Sequence, residues 1–108
     1  MIAVCNGRFF GSGMKVAPMA EPDDGVFEIV SLGAASKLRF AIESSTRIYS
    51  GDHIGKEGIV HLRCDKIRVE LVNTAVDARF LLDVDGEPLG RLPMDIEMVP
   101  GAIEVLVP

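Results

Sequence analysis

Ile59-Val60-His61-Leu62-Arg63-Cys64-Asp65-Lys66-Ile67-Arg68-Val69-Glu70-Leu71 decides the fold class. Val60, Leu62 and Cys64 alternate with His61, Arg63 and Asp65. Ile67, Val69 and Leu71 then alternate with Lys66, Arg68 and Glu70. A period of two places successive side chains on opposite faces of an extended chain, so this stretch predicts two β-strands. The β-branched content agrees.

The same rhythm continues downstream. Phe80, Leu82 and Val84 alternate with Leu81, Asp83 and Asp85. Ile96 and Met98 follow, Pro100-Gly101 reads as a turn, and Ile103, Val105 and Val107 predict a last strand. Upstream, Ile2 to Cys5 is short, apolar and β-branched. Val26 to Leu32 carries apolar residues on most of both sides, which suits a strand covered on both faces. Short strands with turn signals roughly every 10 residues, and no long helices between them, predict a mainly β chain. The expected form is an antiparallel β-sandwich.

Two segments break the rhythm. Over residues 34–49, Leu38, Ala41, Ile42 and Tyr49 fall at helical spacing, which predicts one amphipathic helical crossover. Ser31 or Ser36 is placed to cap its start, and Gly51 to end it in the left-handed conformation. Asn6 to Gly25 is crowded with glycines, Pro18, Pro22 and two adjacent carboxylates. Its prolines fix φ and remove amide donors, so it reads as a shaped loop rather than a helix. Phe9 and Phe10 suit a short extended segment.

With 108 residues, the chain has room for one core, and residues 1–108 are expected to form a single domain. A net charge of −5, with no Lys/Arg run, argues against a nucleic-acid partner. Cys5 and Cys64 each lie in an apolar run and read as buried free thiols of a reducing compartment. No stretch approaches the ~20 apolar residues of a membrane span. No signal peptide is visible in Met1-Ile2-Ala3-Val4-Cys5, which lacks a basic lead. The chain opens directly in a strand, which suggests a piece of something longer.

Four places could carry chemistry. Asp85-Gly86-Glu87 is a strong hairpin signal. It is also a way to present a carboxylate at a rigid tip, as a general base requires; the two readings are compatible. Asp23-Asp24-Gly25 reads as an Asx-type turn or as a hard-oxygen site suited to Mg²⁺. Gly11-Ser12-Gly13 is not a phosphate loop, because no Gly-Lys-Ser/Thr and no helix follows. His53 and His61 lack partners at metal-ligand spacing and read as solvent-facing or satisfied histidines.

Taken in order, the motifs resemble the C-terminal domain of the diacylglycerol kinase catalytic family, which includes sphingosine kinases and small bacterial lipid kinases. The resemblance rests on Asn6-Gly7-Arg8-Phe9-Phe10-Gly11-Ser12-Gly13-Met14, Ala17-Pro18-Met19-Ala20-Glu21-Pro22-Asp23-Asp24-Gly25, Asp85-Gly86-Glu87-Pro88-Leu89 and Val99-Pro100-Gly101-Ala102-Ile103. Tyr49-Ser50-Gly51-Asp52-His53 resembles the family's linking segment. Ser12 departs from the family's more usual glycine, which bears on the tightness of that turn.

The resemblance implies the second lobe of a two-domain transferase. The other lobe, with its Gly-Gly-Asp-Gly-Thr loop for ATP, has no counterpart in these residues. The implied reaction moves the γ-phosphoryl group of ATP to a lipid hydroxyl, as in phospholipid biosynthesis. Glu87 is implied as the catalytic base. Asp24 is implied to hold Mg²⁺ with the carbonyls of Glu21 and Val26. The implied partners are the ATP-binding lobe and a lipid at the membrane surface, with the protein cytoplasmic and peripheral to the membrane. The chain alone is expected to be inactive and, with its partner surface bare, to form a homo-oligomer. The competing reading is a non-enzymatic β-sandwich module that binds lipid or protein, with Glu87 serving only in a turn.

Overall fold

The computed structural model describes residues 1–33, 46–73, 75 and 81–108. Among these, strands dominate and every strand pairing is antiparallel. The chain is mainly β, as the period-two stretches predict. The residues form two compact units, Met1–Asp65 with Met98–Pro108, and Lys66–Glu97.

The larger unit is built on a three-stranded sheet of β1 (Ile2–Cys5), β2 (Phe27–Leu32) and β3 (Ile59–Cys64), with β2 central. Val30 lies opposite Ala3 and His61, and Ile29 lies opposite Val4 and Leu62. Residues directly opposite share a face. One face therefore carries Ala3, Cys5, Glu28, Val30, Leu32, Ile59, His61 and Arg63. Val30 and Leu32 on this face, and Ile29 on the other, are all buried. The two-sided apolar pattern of β2 is thus matched by cover on both faces.

The core forms where the loop after β1 folds back over the sheet. Val16, Ala17 and Ala20 are buried with Val30, Leu32 and Ile48. Main-chain bonds hold this loop in place of a helix. Lys15 N donates to Ile48 O at 2.8 Å, Ala17 N to Arg8 O at 3.2 Å, and Ala20 N to Ala17 O at 3.0 Å. Arg8 Nε adds a bond to Ala20 O at 2.9 Å. Phe10 and Met14 form a single antiparallel bridge rather than a longer extended segment. The turn between them is tight: Phe10 N donates to Met14 O at 2.8 Å and Met14 N to Phe10 O at 3.1 Å. Gly11 and Gly13 take positive φ and Ser12 does not, so serine fits its position without strain.

The predicted helix lies mostly outside the described residues, since 34–45 are not among them. Residues 46–50 are helical. Gly51 ends them at φ 87°, as expected, with Gly51 N and Asp52 N both donating to Arg47 O. Ser31 is not the cap; it lies within β2 opposite Ile2 and Val60. Ser36 is outside the described residues.

In the smaller unit, β4 (Lys66–Val69) pairs with β7 (Met94–Glu97). Ile67, Val69, Met94 and Ile96 are half-buried, while Lys66, Arg68, Asp95 and Glu97 are exposed. The exposed row is joined by Lys66–Glu97 at 3.2 Å and Arg68–Asp95 at 2.8 Å. β5 (Asp83–Val84) and β6 (Glu87–Pro88) form a short hairpin.

Two strand expectations need correction. The strand read over Phe80 to Val84 contracts to Asp83–Val84, and Phe80 is outside the described residues. The last predicted strand is absent. Residues 104–108 are irregular, and Ile103, Val105, Leu106 and Val107 are exposed. Alternation gives a strand its two faces, but a ladder also needs a neighbouring strand to bond.

Candidate functional site

The carboxylate at the tip of the smaller unit is set by backbone chirality. Asp85 and Gly86 have φ of 52° and 88°. Two successive positive φ values are the mark of a type I′ turn, whose twist matches the strands it joins. Gly86 tolerates its angle for want of a Cβ. Asp85 belongs to the few residue types that visit this region. Asp83 Oδ1 accepts from Gly86 N at 2.8 Å, so the turn is fastened from one side. Val84 and Glu87 are the register pair that closes it. Glu87 thus stands immediately after a two-residue turn, exposed, on a hairpin. Pro88 lies opposite Asp83 within the hairpin rather than outside it.

The second candidate belongs to the larger unit. Asp24 N donates to Glu21 O at 3.3 Å. Asp24 Oδ1 accepts from Val26 N at 3.1 Å, which is an Asx-type turn. Gly25 follows at φ 78°. Beside this turn, Arg8, Phe9, Glu21, Pro22 and Asp23 line an open groove of about 400 Å³. The oxygens that the resemblance implicates are all hard, the Asp24 carboxylate and the main-chain carbonyls of Glu21 and Val26, and the turn also carries the Glu21 and Asp23 carboxylates. Among the described residues, no three His, Cys, Asp or Glu side chains gather into a metal-holding group.

Asp24 has a further partner that its spacing did not reveal. Arg63 Nη2 donates to Asp24 Oδ2 at 2.6 Å. The same guanidinium reaches Glu28, with Nε 3.0 Å from Oε1. That contact is an ion pair outside hydrogen-bond alignment, so the buried Oε1 has no donor aimed at it among the described residues. Glu28 Oε2 accepts from His61 Nε2. The Glu28 side chain is 2% exposed, whereas that of Arg63 is 56% exposed. A carboxylate this deep needs a cation, because desolvation of an unpaired charge is expensive. The register explains how it is met: Arg63 is directly opposite Glu28, and His61, the diagonal neighbour, adds a hydrogen bond.

This line of Asp24, Arg63, Glu28 and His61 is what sequence reasoning missed. The available signal was a histidine and an arginine two apart on β3, which must share a face. Glu28, the one charged residue of β2, was its complement. His61 is therefore partnered, whereas His53 is partnered at one ring nitrogen only: it is buried with Nε2 2.9 Å from Val16 O, while its Nδ1 has no partner among the described residues. Cys5 and Cys64 are both free and half-buried. Burial pushes the Cys5 thiol above its ordinary range, and Glu28, opposite it in register, adds to the rise.

Among the described residues, no helix is long and apolar enough to cross a membrane. The chain is 29% identical over 98 residues to a diacylglycerol kinase of Bacillus subtilis, covering 91% of this chain and 30% of that protein. It is 28% identical over 103 residues to a diacylglycerol kinase of Mycobacterium tuberculosis, covering 95% and 31%. It is 27% identical over 106 residues to a probable lipid kinase YegS-like protein of Shewanella frigidimarina, covering 98% and 32%. The chain spans about a third of the length of these relatives. No solved structure matches it. These relatives bear out the resemblance read from the ordered loop and turn motifs. With residues 1–107 matched, the chain belongs to the family described as the YegS C-terminal NAD kinase beta sandwich-like domain.

Proposed function

We propose that this chain is the acceptor-side lobe of an ATP-dependent lipid kinase, acting at the membrane surface from the cytoplasm. Relatives named as diacylglycerol and lipid kinases support the reaction class. The observation that carries the chemistry is the exposed Glu87 carboxylate, held just after a type I′ turn. A base on such a turn moves little, which keeps it at hydrogen-bond reach of an acceptor hydroxyl.

Glu87 accepts the proton of the lipid hydroxyl as its oxygen bonds to the γ-phosphorus of ATP. The bond from that phosphorus to the bridging oxygen breaks, and ADP leaves. Such a transfer is promoted mostly by positioning and by neutralising charge around the phosphates. The groups for that belong to a separate ATP-binding lobe. The donor set at residues 21–26 fits Mg²⁺, since all its atoms are hard oxygens. Asp24 would hold the ion with the carbonyls of Glu21 and Val26. A bound ion would supply positive charge and rigidity to the loop beside the nucleotide.

Glu87→Gln in the full-length protein tests the assignment. It removes the base without altering size. Phosphorylation of a diacylglycerol-like acceptor should fall by roughly 10²- to 10⁴-fold. The melting temperature should stay unchanged, because the side chain is exposed. Turnover equal to that of the unsubstituted protein would refute the role and leave the reading of a non-enzymatic lipid- or protein-binding module.

A further inference from the structure

We infer that Arg63 is a positioning residue that competes with a divalent cation for Asp24, so that the guanidinium holds the turn when no cation does. The inference rests on the Mg²⁺ reading of the 21–26 turn given above. It starts from the double reach of one side chain. Arg63 bonds Asp24 Oδ2 at 2.6 Å and stands 3.0 Å from Glu28 Oε1. Asp24 Oδ1 already accepts from Val26 N, so the guanidinium holds the carboxylate's other oxygen.

Two opposite effects of Arg63 on a cation at Asp24 must be weighed. As a support, it orients the carboxylate and would strengthen binding. As a fixed positive charge in contact with the ligand oxygen, it repels a divalent ion and would weaken binding. The orienting role is shared, since the Val26 N–H bond of the Asx turn already fixes Asp24 Oδ1. The repulsion is not shared. Glu28 decides how the competition ends. Its Oε1 is buried and has no aligned donor among the described residues, while Arg63 Nε lies 3.0 Å from it. A guanidinium that gives up Asp24 to a cation therefore keeps a counter-charge, and can improve its alignment on Glu28. The exposed half of the Arg63 side chain leaves room for that movement.

The test is a calorimetric MgCl₂ titration at constant ionic strength on four forms of the full-length protein: unsubstituted, Arg63→Gln, Asp24→Asn, and the two substitutions together. Arg63→Gln should bind Mg²⁺ about tenfold more tightly. Asp24→Asn should abolish that binding in both backgrounds. A purely structural role for Arg63 would loosen the turn and weaken binding, which is the opposite sign. Unchanged or weaker binding by Arg63→Gln, with Asp24 still essential, overturns the inference and leaves the cation reading standing. Binding that ignores Asp24 in every form removes the cation reading and the inference with it. Should Arg63→Gln fail to fold because Glu28 loses its cation, Arg63→Gln with Glu28→Gln removes the buried charge as well, and the same tightening is expected of it.

Discussion

Glu28 and Cys5 face each other across β1 and β2 and share one local field. Burial and the Glu28 carboxylate both disfavour a thiolate, so the Cys5 thiol holds its proton above the ordinary range. The unfolded chain has no such cost and releases its proton at the ordinary thiol value. Between that value and the raised one, the native state binds more protons than the unfolded state. Stability therefore falls as pH rises through this window, and is fully retained below it. Denaturant midpoints measured from neutral to alkaline pH should show the fall, and Cys5→Ala should flatten it. A fall of equal slope in the variant would show that other groups carry it. The same residue scale explains why Glu28 tolerates burial. Arg63 stands in ion-pair contact with it and His61 hydrogen-bonds it, and removing Arg63 leaves the buried charge without its cation.

At the scale of elements, the loop between β1 and β2 depends on how closely residues 46–51 approach it. Lys15 N bonds Ile48 O, and His53 Nε2 bonds Val16 O, so the loop is fastened at one point to the helical turn and at another to the segment that follows it. Gly51 sits at the crossing. A Cβ there would meet Pro18 Cβ at 3.1 Å and Lys15 Cδ at 3.2 Å, and the residue has φ 87°. Lys15 can give way, but the Pro18 ring cannot. The left-handed angle alone costs roughly 1–2 kcal/mol for a residue with a Cβ. Gly51→Ala should therefore destabilise by about 2 kcal/mol or more once the contact with Pro18 is added. Urea unfolding measures this; a loss under half that size would mean that the loop shifts freely.

At the scale of the molecule, much apolar surface stays open in the larger unit. Phe9, Val60 and Leu62 are exposed, and so are Ile103, Val105, Leu106 and Val107. Exposed apolar side chains favour association. The reading as one lobe of a kinase assigns that surface to contact with the ATP-binding lobe. Two outcomes are expected of the 108-residue chain by itself. It should transfer no phosphoryl group from ATP to a diacylglycerol-like lipid. It should also grow in mass with concentration by light scattering. ATP-dependent lipid phosphorylation by this chain would overturn the first outcome, and a monomer at high concentration the second.

What residues decide among near neighbours was legible before any coordinates. Strands β1 to β4 follow from apolar runs and a period of two, and the Asp85-Gly86 turn and the left-handed Gly51 follow from backbone sterics. Each depends on a few consecutive residues. Only the tertiary structure decided which charges meet. Asp24, Glu28, His61 and Arg63 come together because β2 and β3 pair in one register, and a shift of a single residue would send His61 and Arg63 to the opposite face. The same reason explains Ile103 to Val107. Their alternation is local, but a strand is completed by hydrogen bonds to another strand, and that partner is a property of the whole fold.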